Sequence, residues 1–167
     1  MIRLDIAYKV VGMALLSLTS GCTDSLVLTS KDLHDIEMLD RKYVESWFSD
    51  NPQQAVLDVF ENGVVFIPHH GDTPVVGLEE LKSFLWPESG KGIVHSFNHY
   101  PSAIDGNNHI AWVYGRFDLK YSWVVDSDTT TTTNEGNYLL IARKQENAKW
   151  KIASFIFNDP EAIIINE

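Results

Sequence analysis

At 167 residues, with 44% hydrophobic and 11% aromatic side chains, the chain carries enough apolar material for one packed domain and too much for a disordered one. Its formal charge of −10 disfavours sequence-independent nucleic-acid binding, which depends on basic patches that release counterions. There is no Gly-rich phosphate loop, nucleophile elbow or dinucleotide fingerprint, so nucleotide-dependent chemistry has no support in the sequence.

In chain order, Arg3 and Lys9 lead into "VVGMALLSL" (10–18), about nine apolar residues. That is the length of a signal h-region and far short of the roughly 20 residues that span a bilayer. "LTSGC" then places small residues before Cys22, the single cysteine of the chain. This stretch resembles the lipobox of bacterial lipoproteins, in which a diacylglycerol is joined to the cysteine sulfur and the leader is cut in front of it. The resemblance implies a signal peptide over 1–21, lipidation at Cys22 and a tether over 22–30; an ordinary cleaved leader, or a buried N-terminal helix with a chance cysteine, is the alternative. Lipidation would explain an odd cysteine in an exported protein, which has no internal disulfide partner. Asp24 lies one place beyond the position where Asp resembles an inner-membrane retention signal. The expected location is therefore the bacterial cell envelope, lipid-anchored in the outer membrane and facing the periplasm.

From residue 29 the period changes. Thr29 and Asp32 stand at capping-box spacing, and Leu33, Ile36, Leu39, Tyr43, Val44 and Trp47 repeat as one stripe, which predicts a long amphipathic helix. Asn51-Pro52 predicts the cap of a second, shorter helix over "QQAVLDVF", stopped by Asn62-Gly63. "VVFIP" (64–68) reads as a short buried strand, and "GLEELKSFLW" (77–86) as a third helix. Four antiparallel strands are predicted over 93–100, 109–123, 136–145 and 149–158, with the threonines 129–133 at a hairpin end.

"KYVESWFSDNPQQAVLDVFENGVVFIP", "VVGLEELKSFL" and "NEGNYLLIARKQENAKWKIASFIFN" resemble the nuclear transport factor 2-like superfamily, including its SnoaL-like and ketosteroid isomerase-like proteins. The resemblance implies an α+β fold over 31–160, with a curved antiparallel sheet wrapped around a long N-terminal helix as a cone, and 161–167 as a C-terminal tail. It also implies an apolar pocket inside the cone and pairing of two subunits through the outer sheet face. Tyr43 matches the tyrosine with which ketosteroid isomerases stabilise an oxyanion. Their two acids fall at Ile67 and Leu140, which cannot move a proton, so steroid isomerisation through two acids is disfavoured.

Other residues supply alternatives. His69 and His70 follow the first strand and are candidate bases, with Tyr43 as donor. Tyr43, Trp47, His69 and Asn158 are the expected ligand-binding wall, the two aromatics being one turn apart. His95 and His99, four apart on a strand, would share a face with backbones roughly 13 Å apart, too far for one metal ion. No metal and no cofactor is expected. Arg116 and Asp118 lie on a polar face opposite Phe117 and Leu119, and Trp112 and Tyr114 on the Arg116 side suit a homodimer interface. The leading expectation is a lipoprotein domain that binds a small, partly apolar ligand. A cofactor-free isomerase or dehydratase using a pocket His and Tyr is the alternative, and a non-catalytic dimeric assembly module the second alternative.

Overall fold

The computed structural model describes residues 27–68 and 72–160 and the backbone of 163–165. Helix α1 (Ser30–Ser46) begins as the sequence predicts: Thr29 Oγ1 accepts from the Asp32 amide, while the Asp32 carboxylate accepts from the Thr29 amide. It stops near Ser46, whose hydroxyl donates to the carbonyls of Lys42 and Tyr43, and Trp47 forms the cap. Helix α2 (Pro52–Leu57) starts on Asn51 but is shorter than the periodicity suggests. Phe60 already opens strand β1 (Phe60–Ile67), so Asn62-Gly63 lies within a strand, where the register to its neighbour shifts. Strand β2 (Val75–Val76) and helix α3 (Leu78–Leu85) follow.

Four long strands complete the wall: β3 (Lys91–Gly106), β4 (Ile110–Val125), β5 (Asp128–Lys144) and β6 (Trp150–Asn158). The sheet order is β2-β1-β6-β5-β4-β3; β1 and β6 run parallel and the other pairs antiparallel. The threonines 129–133 are not a loop. They belong to β5 and pair with β4 across a tight turn after Val125, consistent with the β-branched preference for strands. Residues 163–165, within the expected tail, form strand β7 (Ile163–Ile165) against Thr131–Thr133.

Two register shifts interrupt β3, between Val94 and Ser96 and between Pro101 and Ala103. Each inserts an unpaired residue and bends the strand. The first overturns the expectation that His95 and His99 share a face. His95 is exposed and bonds to Ser122 Oγ at 2.7 Å, whereas the His99 side chain is buried inside the cone. At the second, Gly115 of β4 lies against the Tyr100 carbonyl so closely that a Cβ would collide with it.

The core lies between the inner sheet face and the helices. Ile36, Val56, Val64, Leu81, Leu140 and Ile152 are fully enclosed. Losing one such side chain, as in Leu140→Ala, costs roughly 2–5 kcal/mol. Asp32, only 2% exposed, fastens the start of α1 to the sheet: its carboxylate accepts from Lys144 Nζ at 2.6 Å and Trp150 Nε1 at 3.2 Å. Burial pushes this carboxyl upward, but the Lys144 ammonium and the donors of Thr29 and Trp150 outweigh it. The group is held well below the usual carboxylate range.

Candidate functional site

A cavity of about 740 Å³ opens between the inner sheet face and the helices, and aromatic rings from every surrounding layer line it. The end of α1 supplies Tyr43 and Trp47, with Trp47 stacked on Trp86 at 5.3 Å. Phe66 and Phe155 stack at 5.7 Å on neighbouring strands, and Tyr121 and Trp123 extend the wall along β4. The volume and the apolar walls suit a small organic molecule.

Polar groups enter this lining at few places, and His99 is the most built of them. Its Nδ1 lies 2.8 Å from Asp40 Oδ1, with side-chain exposures of 3% and 6%. The Tyr138 hydroxyl donates to the other carboxylate oxygen at 3.0 Å, and its ring stacks on the imidazole at 3.9 Å. A carboxylate that accepts from both neighbours places the imidazole proton on Nδ1 and leaves the Nε2 lone pair available. Nε2 is buried and has no hydrogen-bond partner among the described residues. An unpaired buried polar atom costs about 1–3 kcal/mol, so its retention in a cavity wall calls for a reason.

Local spacing sets which way these side chains face. Asp40 precedes Tyr43 by three residues, so both lie on the face of α1 that meets the sheet. His99 alternates with Phe97 on the inner side of β3, and the ring centroids of Tyr43 and His99 are 5.7 Å apart. Burial pushes the Tyr43 phenol far above its ordinary value against a lowering by Trp47, with the charge of Asp40 adding to the rise, so it remains a donor at any physiological pH. Tyr138 is raised by burial, then by the charge of Asp40 and its hydrogen bond to that carboxylate. On β5, Asn134 also lines the cavity, its amide nitrogen bonded to the Asp159 carboxylate.

Of the residues expected from sequence, Tyr43 and Trp47 do line the cavity. Asn158 does not: strand alternation turns Phe157 and Asp159 inward and leaves Asn158 exposed, accepting from Asn137 at 3.3 Å. His69, His70 and Cys22 lie outside the described residues, as does the leader. Arg116 and Asp118 do not pair with each other. Arg116 approaches Glu135 at 3.7 Å, and Asp118 accepts from Tyr100 and Asn98 on the outer face.

Sequence reasoning passed over Asp40, Tyr138 and Asn134 and considered His99 only as a metal ligand. One signal was present: Asp40 sits on the apolar stripe of α1, where an unpaired acid has no place.

No family model and no curated protein sequence matches the chain. Solved structures do match. A ketosteroid isomerase-like protein from Erwinia carotovora atroseptica aligns with a TM-score of 0.63 at 16% identity, over 78% of this chain and 98% of that one. An NTF-2 like protein of unknown function from Shewanella oneidensis gives 0.55 at 21% identity, over 76% and 98%. A candidate scytalone dehydratase from Novosphingobium aromaticivorans gives 0.60 at 14% identity, over 82% and 89%. With its helices set against one curved, unclosed sheet, the chain has the nuclear transport factor 2-like α+β cone fold.

Proposed function

We propose that this chain is a cofactor-free acid–base catalyst that holds a small, partly apolar molecule in the cavity and moves a proton at a carbon beside a carbonyl or hydroxyl group. Isomerisation and dehydration, the reactions named for two of its structural neighbours, can both begin with that step. The observation that carries the reading is the buried Asp40–His99 pair, tied down by Tyr138, with Nε2 unpartnered at an aromatic cavity. His99 Nε2 takes the proton, Asp40 stabilises the imidazolium, and the Tyr43 hydroxyl donates to the oxygen on which negative charge develops. The proton then returns from Nε2 to a second carbon, or to a hydroxyl that leaves as water.

A second reading is a carrier that binds without turnover. It is favoured by the burial of Nε2 and by the rings of Tyr43 and Phe97 packed beside the imidazole. One experiment separates the two: proton–deuterium exchange at the carbon next to the carbonyl of 2-tetralone, followed by NMR in heavy water. Catalysis predicts exchange faster than in buffer alone and a loss of about 10²–10⁴-fold in His99→Asn. Equal rates for the two proteins would leave only the carrier.

The same reading takes the domain to be lipid-anchored through Cys22 at the periplasmic side of the outer membrane and to pair through its outer sheet face. Trp112, Tyr114 and Tyr100 are 38%, 49% and 55% exposed on that face, which supports pairing. Cys22→Ser should leave an uncleaved precursor without lipid, visible by mass. Trp112→Lys with Tyr114→Lys should sediment as a monomer at concentrations where the parent is a dimer.

A further inference from the structure

Asn134 is 6% exposed and lies on the inner side of β5. Its Nδ2 donates to Asp159, and because a carboxylate only accepts, this bond fixes the amide with its oxygen on the other side. That oxygen, Oδ1, is buried and has no hydrogen-bond partner among the described residues. Asn134 and Asp159 both line the aromatic cavity that holds His99. The ladder gives their spacing: His99 pairs with Phe117, and Asn134 with Leu119 on the same strand, two residues along and two strands across. The two Cα atoms are therefore roughly 12 Å apart.

We propose that Asn134 is a specificity-determining residue of this cavity, where its Oδ1 reads a hydroxyl or N–H donor on an aromatic ligand whose reacting end lies against His99. The assignment rests on the reading of the cavity as a small-molecule site. It selects by chemistry: a ligand with a donor satisfies the buried oxygen, whereas an analogue without one leaves it unpaired. Asp159 is a positioning residue, since it holds the amide oxygen towards the ligand and keeps the amide nitrogen away.

The test is isothermal titration of the full-length protein with 2-naphthol and with 2-methoxynaphthalene, a pair that differs in one donor. Apolar burial alone favours the methyl ether. The proposal expects 2-naphthol to bind about 10-fold tighter or more. Asn134→Leu should bring the ratio to unity or invert it while the ether still binds, which also reports an intact cavity. Asp159→Asn should reduce the ratio by allowing the amide to turn, and His99→Asn should preserve it. The proposal is overturned by equal binding of the two probes to the parent protein, by a ratio unchanged in Asn134→Leu, or by a ratio lost in His99→Asn instead. If neither probe binds, the reading of the cavity as an aromatic site fails, and this proposal with it.

Discussion

Helix α1 carries two buried aspartates two turns apart, Asp32 and Asp40, and they are solved in opposite ways. Around Asp32 every lone pair has a donor: Thr29 from its amide and hydroxyl, Trp150 from its indole and Lys144 from a full positive charge. Around Asp40 the described residues place no lysine or arginine within bonding distance. Tyr138 and His99 donate to it, and the imidazole beyond ends in an unpartnered nitrogen at the cavity. A fully compensated buried charge holds structure, whereas a network left open at one end keeps chemistry available at some cost in stability. The same helix therefore fastens the fold at its start and supplies the site farther along.

Three substitutions should separate these roles. The largest effect is expected at the open network: Asp40→Asn or His99→Asn should reduce tetralone exchange by about 10²–10⁴-fold. Asp40→Asn should move unfolding stability by only about 1 kcal/mol, because a neutral amide replaces a buried carboxylate that has no lysine or arginine partner among the described residues. Asp32→Asn should do the reverse, lowering stability by about 2 kcal/mol in urea unfolding and leaving exchange within about twofold. The sign with pH follows from the direction of the shift. Asp32 is depressed in the folded state, so its contribution is complete at neutral pH and is lost as the medium falls below the ordinary carboxylate range. The stability difference between parent and Asp32→Asn should therefore narrow below about pH 4, and a constant difference would remove Asp32 from its role as charge partner.

The cap at Thr29 and Asp32 was legible in the sequence, whereas the tie from Asp32 to Lys144 and Trp150, across 112 and 118 residues, and most of the site were not. Thr29 and Asp32 are three residues apart, and local spacing alone gives the cap, the helix and its apolar stripe. The strands were legible where side chains alternate, as in β4, but the threonines of β5 lacked apolar alternation and joined the sheet through pairing with β4 and β7. His99 could not be placed because the bulge after Val94 breaks the two-residue period, so a neighbour four positions away faces outward. Its union with Asp40 spans 59 residues and that of Asp40 with Tyr138 spans 98, contacts set by the closing of the sheet over the helix and by no local pattern. Asn158 and Asp159 show the opposite risk: a one-residue error at the end of β6 exchanges an exposed amide for a cavity carboxylate.

The smallest predicted effect bears on whether the open network needs its third member. Tyr138→Phe keeps the ring that stacks on His99 and removes only the hydroxyl bond to Asp40. If Tyr138 acts by holding Asp40 in line, exchange should fall by about 5–10-fold, the size of one ordinary net hydrogen bond, since Asp40 keeps its bond to His99. KM for tetralone should hold steady while kcat falls, since the hydroxyl bonds to Asp40. A further readout distinguishes positioning from packing. Phe155→Leu, which changes ring packing beside the imidazole, should lower stability with little change in kcat, whereas Tyr138→Phe should lower kcat. Full activity in Tyr138→Phe would reduce the open network to Asp40 and His99 alone, and Tyr138 would then resemble the donors around Asp32, a support for the fold.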